Sequence, residues 1–111
     1  MQYIEWQDFE RVELRVGTIL SARPNDKAIK PAYVLEVDLG EQGIKTSSAQ
    51  LTAHYEAAEL AGRQVLCVCN FAPKRVAGVR SEVLVTGIYD ADGKVVLAGF
   101  DKPLPNGARL A

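Results

Sequence analysis

The sequence predicts an all-β domain, a small closed barrel of five short strands with one helical segment between the third and the fourth. Three observations carry this expectation. Apolar residues alternate with polar ones in runs such as "VELRV" and "YVLEVDLG", the period of a half-buried strand. Glycine, proline and Asx clusters ("RPNDK", "GEQG", "DADG", "PNG") interrupt the runs at short intervals. The one stretch rich in good helix formers, "QLTAHYEAAELAGRQ", falls in the middle of the chain.

The elements follow in order. "DFERV" is expected to form a helical turn with Asp8 as its N-cap. From Val12, the residues Val12, Leu14 and Val16 face one way and Glu13 and Arg15 the other. Gly17 stands at a shift of phase before Ile19 and Leu20, which predicts a bulge or bend there. "RPNDKAIKPA", Arg23 to Ala32, is a turn-rich break. In "YVLEVDLG", Leu35, Val37 and Leu39 share a face opposite Glu36 and Asp38, and "IKTSSA" returns from "GEQG" as a hairpin partner. One or two helical turns end near Gly62. "VLCVCNF" reads as a buried strand, "NFAPKRVAGVRSE" as a Pro/Gly loop, and "EVLVTGIY" as a strand turning through "DADG" into "KVVLAGF". The tail "DKPLPNGARLA" is expected to be extended and to cap the barrel. Three strands, a short helix and two more strands match the five-stranded Greek-key OB-fold, here with terminal extensions; a β-sandwich would usually lack the central helix.

With 111 residues the chain fits one domain over residues 1–111. Its 14 acids and 13 cations leave a net charge of −1, so any nucleic-acid site has to be a local patch rather than a global field. Cys67 and Cys69 fall on one strand face with Val65, a poor geometry for a disulfide. With no other cysteine and a single histidine, His54, no metal site is expected, nor any other cofactor. Two free thiols fit a reducing cytoplasm. No signal peptide is visible, and no apolar run approaches the ~20 residues of a membrane span.

Two motifs stand outside general strand patterning. In "KTSSAQ", Ser47, Ser48 and Gln50 offer short polar groups beside Lys45, suited to phosphate, sugar or peptide backbone; alternatively, the serines cap the following helical segment. In "NFAPKRVAGVRSE", Lys74, Arg75 and Arg80 are three cations in an interval, Gln64 to Ser81, that holds no acid. Asn70 closes a strand. Phe71 is a stacking platform, a pocket wall or a core aromatic. Gly78 permits a turn that a Cβ would hinder. Ser81 and Glu82 end the interval. Ser47 or Ser48 with His54 makes no catalytic constellation, because no nucleophile turn or acidic partner frames them. No enzyme is expected.

Together with "FERVELRVGTI", "KPAYVLEVDLG" and "KPLPNGARL", these motifs resemble in order and spacing the tRNA-binding-domain family of OB-folds. The nearest branch is that of the free-standing CsaA proteins, export-related chaperones. The resemblance runs from about Asp8 to Leu110. It implies a non-catalytic binding protein, usually a homodimer, whose partners are unfolded or presecretory polypeptides, or tRNA recognised by shape. In synthetase-attached members the local pattern near Glu82 is closer to Ser-x-Gly-Met, without an acid, whereas this chain reads "SEVL" as the CsaA branch does. A carboxylate there repels phosphate unless paired by a neighbouring Lys or Arg, which tilts the expectation toward a polypeptide client. In that reading Phe71, Val76 and Val79 present apolar surface, Ser48, Gln50 and Asn70 hold client backbone, and Glu82 favours basic client residues. In the tRNA reading Lys45, Lys74, Arg75 and Arg80 contact phosphate.

Overall fold

In the computed structural model, which describes residues 1–110, the organising element is β1 (Leu14–Pro24), a strand long enough to serve two partners. Its second half pairs antiparallel with β2 (Tyr33–Asp38), from Thr18↔Asp38 to Pro24↔Tyr33. Its first half pairs with β4 (Gln64–Val68), from Leu14↔Val68 to Thr18↔Gln64. Strand β3 (Ile44–Ala49) returns along β2 after a 3-10 turn over Gly40–Gln42, and β7 (Leu84–Val85) adds beyond β4. The spatial order is β3-β2-β1-β4-β7. The sheet curls until its edges meet, the Glu82 amide donating to the Thr46 carbonyl at 2.8 Å. The result is a nearly closed, five-stranded antiparallel barrel of the OB type.

Alternation determines what fills it. Ile19, Leu35, Val37, Leu39, Val65 and Cys67 point inward and are wholly buried, and Leu60 of the short helix α2 (Ala57–Leu60) plugs one end. Each such aliphatic side chain contributes about 1.5–3 kcal/mol when withdrawn from water. The helix sits between the third and fourth barrel strands, as the residue pattern predicts.

Several local expectations change. Helix α1 (Trp6–Glu10) has Glu5, not Asp8, at its N-cap; the Asp8 carboxylate reaches back one turn to accept the Glu5 amide at 3.0 Å. Val12 precedes the strand, and β1 runs through Gly17 without a bulge. The register shift lies between Ile19 and Ser21 and turns Leu20 outward. Gly17 is small for a packing reason instead: a Cβ there would stand 2.5 Å from Val37 Cγ1 and 3.0 Å from Leu39 Cδ2.

The loop read after "VLCVCNF" is a β-hairpin, β5 (Lys74–Val76) and β6 (Val79–Ser81), joined by Ala77 and Gly78 with φ of 47° and 81°. Two positive φ values define the two-residue turn whose twist suits adjacent strands. The single strand expected over "EVLVTGIY" is divided at Thr86, whose amide and hydroxyl both donate to the Leu66 carbonyl, at 2.9 and 2.8 Å. Beyond it, β8 (Gly87–Tyr89) and β9 (Val95–Leu97) form the hairpin predicted around "DADG".

The tail is extended and covers the edge of β1 that β2 leaves open. Gly107 and Leu110 donate to the Val16 and Leu14 carbonyls at 2.7 and 2.8 Å, and Val16 donates to Ala108 at 2.9 Å. Its last residue, Ala111, lies outside the described residues.

Candidate binding groove

The β5–β6 hairpin stands beside β3 and encloses a surface cavity of about 400 Å³, lined by Ser48, Phe71, Ala72, Lys74, Val76, Ser81, Glu82, Val83 and Leu84. A second cavity of about 450 Å³ shares Ser48 and Leu84 with the first and continues past Gln50, Thr86 and Tyr89. The two adjoin at Ser48 and Leu84, along the end of β3 and the outer side of β7. Phe71, at 59% exposure, is a wall of this groove and not a core aromatic. Val76 and Leu84 add exposed apolar surface.

The hairpin is held against the barrel by two side chains that act as substitutes for a neighbouring strand. Ser81 Oγ accepts the Ser48 amide at 3.1 Å, and Glu82 Oε1 accepts the Thr46 amide at 3.1 Å. Both amides lie on β3, the last strand in the sheet order, where unpaired donors would otherwise face solvent. The other carboxylate oxygen of Glu82 is 4.0 Å from Lys45 Nζ. The neighbouring cation that the sequence demanded for this acid is therefore Lys45.

This geometry sorts the residues singled out from the sequence. Ser48, Phe71, Lys74, Val76, Ser81 and Glu82 meet in the first cavity and Gln50 in the second. Ser47 is 1% exposed and faces the interior, so it offers nothing to a surface ligand. The capping alternative for Ser47 and Ser48 also fails, because both lie on β3 and the N-cap of α2 is Glu56. Asn70 does not reach toward a client: its Oδ1 accepts the Glu13 amide at 3.0 Å and its Nδ2 donates to the Arg11 carbonyl at 2.6 Å. It ties the end of β4 to the turn before β1.

Val79 stands opposite Val76 but does not line the cavity, and Arg75 and Arg80 lie on the hairpin's other side. Ala72, Val83, Leu84 and Tyr89 were not anticipated as groove residues. The signal for Leu84 was present, since in "EVLVTG" Val83 and Val85 are buried and the residue between them must face out.

Burial, and secondarily the neighbouring Cys69 thiol, pushes the Cys67 thiol up to about 12; burial also raises Cys69. Both cysteines are free. Among the described residues no group of three or more His, Cys, Asp or Glu side chains is arranged to hold a metal, and no helix is long and apolar enough to cross a membrane. His54 lies in a turn rather than a helix, with Nε2 2.6 Å from Asp90 Oδ2.

Comparison with known proteins agrees with the barrel and its edges. The family model described as "Putative tRNA binding domain" matches residues 14–109. The chaperone CsaA of Bacillus anthracis has a crystal structure that superposes with a TM-score of 0.93 at 44% identity, over 99% of this chain and 100% of that one. The CsaA chaperone protein of Picrophilus torridus gives 0.91 at 40% identity, over 98% and 100%. A methionine–tRNA ligase of Pyrococcus furiosus is 36% identical over 110 residues, 99% of this chain but 15% of that protein. The chain therefore spans about 15% of the length of the curated ligases it matches. Its fold, length of match and structural neighbours agree that this chain belongs to the tRNA-binding-domain family.

Proposed function

We propose that the groove binds extended segments of unfolded or presecretory polypeptides, without catalysis, in a cytoplasmic homodimer that assists protein export. The observation that carries this reading is the adjacency of the two cavities, which meet at Ser48 and Leu84: Phe71, Val76, Leu84 and Tyr89 line them, together with the polar groups of Ser48, Gln50 and Lys74. Apolar surface with a few polar groups to fix orientation suits an unfolded chain. The solved chaperone structures support the same assignment. Glu82 has a smaller part in it than the sequence alone suggests. One oxygen is engaged by Thr46 and the other faces Lys45, so the apolar floor, more than this charge, selects the client. For the homodimer, the support is the exposed apolar run Tyr3, Ile4 and Trp6, at 92%, 70% and 62% exposure.

The test is binding of unstructured peptides, one rich in Leu and Phe and one of the same length without them, to the wild type and to Val76→Asp with Leu84→Asp. The apolar peptide should bind at least 10-fold better to the wild type, and the double variant should lose that preference. Equal binding of both peptides to both proteins would discard the reading. A tRNA-binding role is the second reading, supported by the family model and by the exposed cations of the hairpin.

A further inference from the structure

Between Leu84 and Asp90 the ladder engages the backbone of every second residue. Leu84 lies opposite Val68, and the Thr86 amide donates to the Leu66 carbonyl at 2.9 Å. Toward β9, the Ala98 amide donates to the Thr86 carbonyl at 3.1 Å and the Asp90 amide to the Lys94 carbonyl at 2.8 Å. Ile88 and Val96 are therefore the hydrogen-bonded pair between them. The Leu97 amide agrees with this phase, since it donates to the Tyr55 hydroxyl at 3.0 Å and not to Gly87. Alternate residues of an antiparallel strand direct their N–H and C=O groups away from that partner. The backbones of Val85, Gly87 and Tyr89 thus face the opposite edge in a row, spaced about 7 Å apart. Among the described residues no group bonds to them there. All three residues line the second cavity, together with Ser48, Ala49 and Gln50 at the end of β3. Other edges of the barrel are covered: that of β3 by Ser81 and Glu82, and that of β1 by the tail. Here the run "VLVTGIY", Val83 to Tyr89, carries neither a charge nor a proline, the usual guards of an open edge.

We propose that the free edge from Val85 to Tyr89 takes up an extended polypeptide segment as an added strand, held through its main chain. The row itself argues for the occupant. Donors and acceptors repeated at strand spacing are matched by another extended main chain, which repeats at the same interval. A single ion or a small apolar ligand would satisfy one of these groups or none. Leu84, Tyr89 and Val95 line the same cavity and offer apolar surface to alternate side chains of the added strand. Recognition by the main chain makes binding tolerant of client sequence, while the apolar walls set a preference within it. That the occupant is a client polypeptide rests on the groove reading above; the open edge does not.

The experiment compares an unstructured Leu- and Phe-rich peptide with a copy in which esters replace the amides of its five central residues. The ester copy keeps the side chains and loses the main-chain donors. It should bind the wild type at least 10-fold more weakly, as expected when several main-chain hydrogen bonds are lost together. Saturation with the amide peptide should slow hydrogen exchange of the Val85, Gly87 and Tyr89 amides at least 10-fold. On the protein side, Tyr89→Pro removes one free donor at a sheet edge, where proline is tolerated, and Tyr89→Ala removes the ring alone. The proline variant should bind the amide peptide about 5-fold more weakly than the alanine variant, with circular dichroism checking that both are folded. Should the proline variant unfold, the ester and exchange arms decide the matter on the wild type. Equal binding of amide and ester peptides, or no slowing at the three amides, overturns strand addition; if Val76→Asp with Leu84→Asp still abolishes the apolar preference, the groove reading survives that result. Ester-sensitive binding with slowed amides but no apolar preference upholds the edge and removes the groove reading. No binding of any peptide by the wild type overturns both.

Discussion

Glu82 and Thr46 are joined twice: the Glu82 amide donates to the Thr46 carbonyl at 2.8 Å, and the Thr46 amide donates to Glu82 Oε1 at 3.1 Å. A side chain here completes what a further backbone pair would do in a longer strand. The barrel closes through it. A hydrogen bond to a charged group contributes about 1.5–3 kcal/mol when well shielded, and this carboxylate is 24% exposed. Glu82→Ala should therefore cost about 1–2 kcal/mol in urea unfolding, allowing for partial solvation. Glu82→Gln keeps an acceptor for Thr46 and loses only the distant Lys45 pair, so it should cost under about 1 kcal/mol. Equal losses for the two variants would show that the charge, not the acceptor, closes the barrel.

Gly17 offers a test of the core. Its missing Cβ is occupied by Val37 Cγ1 and Leu39 Cδ2. Gly17→Ala should destabilise by about 1–3 kcal/mol, the usual range for overpacking. Gly93, with open space where a Cβ would stand, is a poor control because its φ is +78°. Leu20→Ala, on the exposed side of the register shift, is a better one and should cost far less. Comparable losses at Gly17 and Leu20 would refute the packing account.

The Cys67 thiol should be slow to alkylate in the native protein at pH 8 and fast in urea, because burial disfavours the thiolate. The same shift makes stability sensitive to alkali. The folded pKa, about 12, lies well above the ordinary value of an exposed thiol. The stabilising contribution is whole below pH 9 and is lost as pH rises toward 12. Cys67→Ala should flatten the alkaline limb of a stability-against-pH curve, although it lowers the curve overall.

Asp90 titrates in the opposite sense. Its pKa is lowered first by the Lys94 amide, then by the side chain of His54. The benefit is present above the ordinary carboxylate value and is lost as pH falls through the lower folded pKa. Amides of the β8–β9 turn, those of Asp92 and Lys94 above all, should lose hydrogen-exchange protection below about pH 4, and Asp90→Asn should remove that pH dependence. Protection that is flat from pH 6 to pH 2 would contradict this assignment.

The strands of the barrel were legible because alternation and burial coincide: Leu35, Val37 and Leu39 inside, Glu36 and Asp38 at the margin. The β5–β6 hairpin was not. Its strands "KRV" and "VRS" are too short and too charged to show a period, and Ala77-Gly78 lacks the Asn-Gly signal of such turns. The family resemblance set "KTSSAQ" beside the "NFAPKRVAGVRSEVL" stretch, but not what each side chain does. Asn70, Ser81 and Glu82 spend their polar atoms on backbone groups from 33 to 59 residues away. Those distances arise only when the barrel closes, which no local pattern encodes. Ser47 and Ser48 are adjacent and chemically identical, and strand pleating alone sends one inward and leaves the other at the groove.

The tail's pairing with β1 has a consequence for how the protein is made. Val16 and Leu14 lie near the beginning of the chain, and the groups that satisfy them are on residues 107–110. The first barrel strand to leave the ribosome therefore keeps open amide and carbonyl groups until residues 107–110 have been synthesised. Contacts of such long sequence separation slow folding, because a large loop must close before they form. The barrel is thus completed only once residues 107–110 can reach β1, and until then the chain is itself an unfolded polypeptide with an exposed strand edge.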